Sequence, residues 1–164
     1  MIKVLISFFI LFTNAHALTI PNIPTGTKNK VLVFLSKTCP CTQENIPYVN
    51  DLVKAYPQFE FIGVHSVKGA TLKDIEELKK TYKPQFDVIE DHELKIANAL
   101  KANRTPQSFI LTADNIVLYN GGITDRTNPF KASAFYLKNA LSEVSAGETI
   151  TQKETRSLGC VILR

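Results

Sequence analysis

Five stretches of the chain carry the apolar patterns that are typical of β-strands. Residues 31–36 (VLVFLS) form a continuous apolar run, as expected for a strand in a parallel sheet that is covered on both faces. A second run, FEFIGVHS at 59–66, and a shorter one, FDVI at 86–89, follow it. Residues 105–111 (TPQSFIL) and 116–122 (IVLYNGG) are joined by the polar turn TADN, and this arrangement predicts an antiparallel hairpin.

Apolar residues at helical spacing predict four helices between and after these strands. The second helix opens at a capping box formed by Thr71 and Asp74. The last is expected to begin with Asn128 as its cap and Pro129 as its first residue, and to stop at Gly147. The four apolar patterns are Ile46, Val49, Leu52 and Val53; Leu72, Ile75, Leu78 and Tyr82; Leu94, Ile96, Ala97 and Leu100; and Phe130, Ala134, Leu137, Leu141 and Val144. The order of elements predicts an α/β fold, a central mixed β-sheet flanked by helices on both faces.

The first seventeen residues, MIKVLISFFILFTNAHA, have the pattern of an export signal. Lys3 supplies the positive start, residues 4–12 form an apolar stretch, and AHA at 15–17 is a small-x-small cleavage site. The apolar stretch is shorter than the roughly 18 residues that a membrane span requires. We therefore expect cleavage after Ala17, a secreted or periplasmic mature protein, and no stable membrane insertion.

The length and charge of the remaining chain indicate its domain organisation and exclude one class of partner. Residues 18–147 are enough for one domain with a full core, and a polar tail, 148–164, follows with no pattern that ties it down. The 19 basic residues are scattered among 15 acidic ones, whereas proteins that bind nucleic acid cluster their positive charge. We therefore expect no nucleic-acid partner.

The cysteines are the candidate chemistry. Cys39 and Cys41 flank Pro40 directly after the first apolar run, and Cys160 lies in the tail. Three cysteines are too few, and odd in number, for a disulfide scaffold, and in an exported protein this set favours redox chemistry. A helix N-terminus favours thiolate over thiol, and Lys37 adds a nearby cation. The stretch SKTCPC therefore predicts a reactive dithiol.

Two segments, in their order, resemble the thioredoxin-like superfamily. They are VLVFLSKTCPCTQENIP at 31–47 and FDVIEDHELKIANALKANRTPQSFILTADNIVLYNGGI at 86–123. The resemblance is to the redoxin branch, which groups AhpC/TSA-type peroxiredoxins with TlpA-like exported thiol reductases, and it covers roughly residues 28–144.

The resemblance implies a thioredoxin-like fold and a thiol–disulfide oxidoreductase. In that superfamily the matching Thr-Pro bond is cis and faces the active cysteine, so Thr105 and Pro106 are expected to present backbone to a substrate segment. Cys39 and Cys41 would form the dithiol, with Cys39 the preferred nucleophile, and Cys160 is a candidate resolving thiol. The expected partner is a protein or small-molecule thiol or disulfide, and no cofactor is implied.

The spacing of the dithiol departs from the usual motif, which places two residues between its cysteines. Positions i and i+2 of a regular helix point about 200° apart. A Cys39–Cys41 bridge therefore requires Cys39 to lie outside the helix, with Pro40 in the first turn. A bridge from Cys39 to Cys160 is the open alternative. Glu44 either assists proton transfer to the resolving thiol or complements the helix dipole as a surface acid.

A thiol peroxidase, acting as an antioxidant, is the main alternative function. Counting from Cys41, Thr38 and Glu44 fall where peroxiredoxins have T-x-x-C-x-x-E, and Arg104 is then a candidate for orienting the peroxide. The proline of that family's P-x-x-x-T-x-x-C corresponds to Phe34, so the match is partial.

A Cu(I) chaperone is a further alternative from a different class. Two thiolates and a third cysteine suit Cu(I), and Sco-type copper chaperones share this fold. Those proteins use a wider cysteine spacing together with a histidine. His65 and His92, the histidines of the mature chain, are more simply surface or capping residues. We therefore predict no metal site.

Overall fold

The computed structural model describes residues 19–164, and the export signal expected at 1–17 lies outside these residues. The strands are β1 Lys30–Leu35, β2 Glu60–His65, β3 Asp87–Glu90, β4 Arg104–Thr105, β5 Gln107–Leu111, β6 Val117–Gly121 and β7 Cys160–Val161. The α-helices are α1 Pro40–Ala55, α2 Leu72–Tyr82, α3 Lys95–Leu100 and α4 Tyr136–Ser145, and single 3-10 turns lie at His92–Leu94 and Pro129–Lys131. Among residues 19–164, no helix has both the length and the apolar character needed to cross a membrane.

Five of the strands form one mixed sheet in the order β3-β2-β1-β5-β6. The central strand β1 runs parallel to β2 and antiparallel to β5, and all six of its residues are buried. This burial on both faces is why the strand reads as a continuous apolar run. β5 and β6 form the expected antiparallel hairpin. The predicted mixed sheet is confirmed.

Helices cover both faces of the sheet. Successive β1 side chains point to opposite faces, so the strand divides its residues between two apolar clusters. One cluster joins Val31, Val33 and Leu35 to α1, α2 and α4, and the other joins Leu32 and Phe34 to α3. Helices therefore pack on both sides of the central strand that leads into the cysteines.

The last helix begins later than the sequence predicts. Asn128 does act as a cap, accepting a hydrogen bond from the Phe130 N–H at 3.0 Å, but only for the 3-10 turn Pro129–Lys131. The Asp125 carboxylate then accepts hydrogen bonds from the N–H groups of Ser133 and Ala134. Because these hydrogen bonds hold the backbone of Ser133 and Ala134 in a non-helical conformation, α4 starts only at Tyr136.

The tail, expected to be untied, is bound to the domain. Asn120 on the edge strand β6 donates its N–H to Lys153 O at 2.9 Å and accepts from Thr155 N at 3.1 Å. The Thr155 hydroxyl lies 2.6 Å from the hydroxyl of the buried Tyr119 and accepts the Gly122 N–H at 3.1 Å. A polar segment with no apolar period is therefore fixed by hydrogen bonds to a strand edge.

The end of the tail is anchored a second time. Ile162 is only 4% exposed and packs in the cluster that contains α3, and its N–H donates to Asn103 O at 3.0 Å. The guanidinium of Arg164 donates to Ala102 O and to Asn98 Oδ1. Cys160 lies between the two anchors, so its position is set by the fold.

Candidate active site

Cys39 lies at the junction of the central strand and the first helix. It is the N-cap of α1, with an extended backbone (φ −89°, ψ 115°), and Pro40 is the first helical residue. Its carbonyl accepts the first helical hydrogen bond from the Thr42 N–H at 3.0 Å, and its side chain is 1% exposed. Cys39 is thus outside the helix, the condition under which the Cys41 sulfur can approach it.

The Thr105-Pro106 peptide bond is cis, as the resemblance implies, and it lies against Cys39. The thiol of Cys39 donates to Thr105 O at 3.0 Å, and both Thr105 and Pro106 are buried. The structure therefore brings together two segments that are far apart in the sequence.

The tail completes the site. β7 pairs antiparallel with β4, so that Thr105 faces Cys160 and Arg104 faces Val161. Gly159, at φ +150°, packs so closely on the Thr105 carbonyl that a β-carbon there would overlap its oxygen. This pairing places Cys160 beside Thr105, whose carbonyl accepts the thiol of Cys39.

The surroundings of Cys39 favour its thiolate. Burial works against the charge, but hydrogen bonds from the Cys160 thiol, the Thr105 side chain and the Cys160 backbone N–H outweigh it. Together they lower the pKa of Cys39 to about 7. Near neutral pH a large fraction of Cys39 is therefore thiolate.

The other two thiols keep their protons. Burial, and after it the charge on Cys39, raise the pKa of Cys41 above its ordinary value. The hydrogen bond to Cys39, followed by burial and the charges of the other two cysteines, raises the pKa of Cys160 to about 11. The site thus holds one low-pKa sulfur with a protonated thiol on either side.

Lys37 does not serve the thiolate as the sequence suggested. Its ammonium lies 2.8 Å from the Asp74 carboxylate and 2.6 Å from that of Glu77, both on α2. Asp74 also accepts the Thr71 N–H at 2.8 Å, which confirms the predicted capping box. Lys37 is therefore a link between the cysteine loop and α2, and the low pKa of Cys39 comes from hydrogen bonds instead.

The loop before Cys39 is fixed by its backbone. The Lys37 N–H donates to Nε2 of the buried His65 at 3.2 Å, and Tyr82 donates its hydroxyl to Lys37 O at 2.8 Å. Burial lowers the pKa of His65, so the ring stays neutral and keeps accepting this bond. The Thr38 hydroxyl lies 3.1 Å from Ser36 Oγ. These contacts hold the loop that carries Cys39 in place.

Arg104 and Glu44, two residues of the peroxidase alternative, are not placed to favour a Cys41 thiolate. The Arg104 guanidinium donates to Gly159 O at 2.9 Å and so secures the tail. Glu44 is exposed on the first turns of α1, and its charge contributes to raising the pKa of Cys41. Neither arrangement favours a Cys41 thiolate that attacks peroxide.

No group of three or more histidine, cysteine, aspartate or glutamate side chains within residues 19–164 is arranged to hold a metal ion. His65 is buried, contrary to the expected surface position, and accepts the Lys37 N–H. The exposed His92 has the Glu90 carboxylate 3.7 Å away. Neither histidine lies in such a group within the described residues.

The contacts of Gly159, Asn103 and Ile162 were not expected from the sequence. The only signal was the apolar run VIL directly after Gly159-Cys160, which contrasts with the polar residues before it. That run seats Ile162 in the core while Gly159 fits against Thr105 O.

Cys39 is expected to react with iodoacetamide with a midpoint near pH 7. Below this pH the sulfur gains a proton, and each further pH unit lowers the thiolate fraction about tenfold. In Cys160→Ala one hydrogen bond to the thiolate is lost, so the midpoint should move to higher pH. Alkylation followed by peptide mass spectrometry over a pH series measures both midpoints; an unchanged midpoint in the variant would show that Cys160 does not stabilise the thiolate.

No model of a protein family matches the chain, and no curated protein matches it either. Solved structures are similar to it. An uncharacterized conserved protein from Geobacillus kaustophilus has a TM-score of 0.74 at 19% identity, over 85% of this chain and 79% of that chain. A thioredoxin-like protein in its oxidized form has a TM-score of 0.60 at 16% identity, over 76% of this chain and 82% of that one. A secreted Mycobacterium tuberculosis disulfide oxidoreductase homologous to E. coli DsbE has a TM-score of 0.51 at 20% identity, over 74% and 81%.

These similarities concern the fold. Together with the strand order and the mixed sheet, they confirm the thioredoxin-like fold that the resemblance implied.

Proposed function

We propose that the protein is an exported thiol–disulfide oxidoreductase of the redoxin type, with Cys39 as its nucleophile. The observation that carries the proposal is the Cys39 sulfur, which has a pKa of about 7 and is seated 3.0 Å from Thr105 O beside the cis-proline. A thiolate at that position suits attack on a disulfide whose backbone lies along Thr105 and Pro106. Export is proposed from the signal pattern at 1–17.

The reaction begins with the thiolate of Cys39. It attacks one sulfur of a substrate disulfide, a new S–S bond forms to Cys39, and the other substrate sulfur leaves as a thiolate. A second thiol of the protein then attacks Cys39 and releases the remaining half of the substrate. The substrate gains two electrons, and the protein is left with an internal disulfide. Cys41 is the second thiol that the CPC order predicts, and Cys160 is the other candidate.

The comparisons support this class of reaction by analogy of fold alone. One similar structure is that of a secreted disulfide oxidoreductase. The thioredoxin-like fold also carries other activities, so the proposal is argued from the site. The peroxidase alternative assigns the attack to Cys41, whose pKa is raised by burial and by the charge on Cys39. A thiol that keeps its proton is the weaker nucleophile, so we favour attack by Cys39.

The proposed function predicts turnover with disulfides and not with peroxide. The purified protein, supplied with dithiothreitol, should reduce the interchain disulfides of insulin well above the uncatalysed rate, followed by the turbidity of the released chains. Hydrogen peroxide, assayed with the same dithiol, should be consumed at the background rate. Rapid peroxide turnover without insulin reduction would reject the oxidoreductase in favour of the peroxidase.

A further inference from the structure

The tail strand β7 occupies the edge that a substrate would use. Thr105 on β4 faces Cys160 on β7 in an antiparallel pair, and Gly159 packs on the same Thr105 carbonyl that accepts the thiol of Cys39. Extended peptides bind to sheet edges through this kind of main-chain pairing. The chain thus supplies its own strand to the site and places Cys160 in register with Thr105, the residue whose carbonyl accepts the thiol of Cys39.

The docked tail exposes one sulfur and covers another. Cys160 is exposed, whereas Cys39 is buried at 1% exposure beneath the pairing of the tail with Thr105. The anchors at Thr155 and Ile162 hold the segment on either side of Cys160. While the tail is docked, a thiol arriving from solvent therefore meets Cys160 before Cys39.

From this arrangement we infer that Cys160, and not Cys41, resolves the mixed disulfide at Cys39 and is afterwards the sulfur that an external thiol attacks. The inference rests on the proposed function, and it names the second partner of the site as a thiol or dithiol reductant.

The substrate disulfide reaches Cys39 while the tail is undocked from Thr105, and the resolving step follows when the tail docks again. This step forms one S–S bond and breaks another. Cys160 gives its proton to the thiolate released in the first step. Its sulfur bonds to that of Cys39 and expels the second substrate thiolate. The substrate has then taken up two electrons, and the protein holds a Cys39–Cys160 disulfide.

The return step uses the difference between the two sulfurs. An external thiolate attacks the exposed Cys160 sulfur, and Cys39 leaves as a thiolate. A second external thiolate attacks the sulfur of the first, forms an external disulfide and releases Cys160, so two electrons return to the protein. Access decides which sulfur of a disulfide is attacked, and a thiol of lower pKa leaves faster. The burial and the low pKa of Cys39 make it the leaving group on both counts.

Glutathione disulfide is the probe for the resolving step. Reduced protein is mixed with it, the reaction is stopped with acid at intervals, and the disulfides are mapped by peptide mass spectrometry. Wild type and Cys41→Ser should both end with a Cys39–Cys160 bridge. Cys160→Ser should instead accumulate a mixed disulfide between glutathione and Cys39. Circular dichroism checks that each variant is folded, and Cys160→Ala repeats the test without a hydroxyl.

The possible outcomes distinguish the role of Cys160 as the resolving thiol from the proposed oxidoreductase function. A Cys39–Cys41 bridge that forms in Cys160→Ser as fast as the wild-type bridge forms would overturn the role of Cys160 and leave the oxidoreductase standing. If Cys39 fails to react with glutathione disulfide in every one of these proteins, the proposed function itself is wrong.

The return step has its own measurement. Oxidised wild-type protein is mixed with reduced glutathione and stopped with acid at early times, because acid protonates the Cys39 thiolate and prevents its attack on the adduct. Glutathione is expected on Cys160, with Cys39 free. An adduct found first on Cys39 or Cys41 would contradict the proposed point of attack.

Discussion

Serine in place of Cys39 should bring insulin reduction down to the background rate, a loss on the order of 10³-fold or more, as when other enzymes lose their nucleophile. The hydroxyl of serine does not ionise near neutral pH, whereas the pKa of the Cys39 thiol is about 7. No other sulfur of the site replaces it, because burial and neighbouring charge raise the pKa of Cys41 and the pKa of Cys160 lies at about 11. The turbidity assay with dithiothreitol measures the loss.

The fold should survive this substitution, which makes the activity loss interpretable. A serine hydroxyl can donate to Thr105 O in place of the thiol, so the free energy of unfolding should change by no more than about 1.5 kcal/mol. Urea titration followed by circular dichroism measures it. If the Cys39→Ser protein reduces insulin at the wild-type rate, the nucleophile is Cys41, with Thr38 and Glu44 in the peroxidase arrangement.

The core of the fold could be predicted from the sequence because its patterns are local. VLVFLS reads as a buried strand since β1 is covered on both faces, and TADN closes the hairpin between β5 and β6. The capping box at Thr71 was equally legible, since it needs only a second residue three positions away. The predicted start of the last helix was wrong because a side chain several residues away binds the backbone there. The Asp125 carboxylate accepts the N–H groups of Ser133 and Ala134, so these residues stay outside α4.

The dithiol of the candidate site could also be predicted from a local stretch of sequence, SKTCPC. The cis-proline at Pro106 was predicted from the resemblance to the thioredoxin-like superfamily. The low pKa of Cys39 was expected, and the helix N-terminus contributes to it through the Thr42 N–H, but the larger causes were not expected. Lys37, two residues before Cys39, is paired with Asp74 and Glu77, while the largest stabilising hydrogen bonds come from Cys160 and Thr105. Contacts between segments so far apart leave no periodic signal in a single sequence.

The tail shows this limit most clearly. A two-residue strand such as β7 has too little length for an alternating pattern, and its partner β4 is just as short. The polar part of the tail is held by backbone hydrogen bonds and by the hydroxyl of Thr155. Almost any residue can form the backbone bonds, so they leave no pattern in the sequence. Glycines at 121 and 122 leave the room it needs, because a β-carbon at either would overlap Thr155 Oγ1 or Arg156 O. Only with the fold in place do these residues acquire a shared role.

Replacing Gly159 by alanine is expected to release the tail and to make Cys39 react faster with iodoacetamide. A β-carbon at this position would run into the Thr105 carbonyl, and φ of +150° is a backbone conformation that alanine rarely adopts. Strain of this kind costs on the order of 1–3 kcal/mol. Since about 1.4 kcal/mol corresponds to a factor of ten, the undocked population and the alkylation rate of Cys39 should rise roughly 5- to 150-fold.

Gly147→Ala is the matched control for this prediction. Gly147 also has a positive φ, +74°, but nothing lies within 4 Å of the β-carbon that alanine would add. The control therefore carries backbone strain without disturbing the tail, and its Cys39 should be alkylated at the wild-type rate. The rates are compared as limiting values at high pH, because undocking also removes the Cys160 hydrogen bond and raises the pKa of Cys39. Equal limiting rates in the two variants would mean that the pairing of the tail with Thr105 does not control access to the nucleophile.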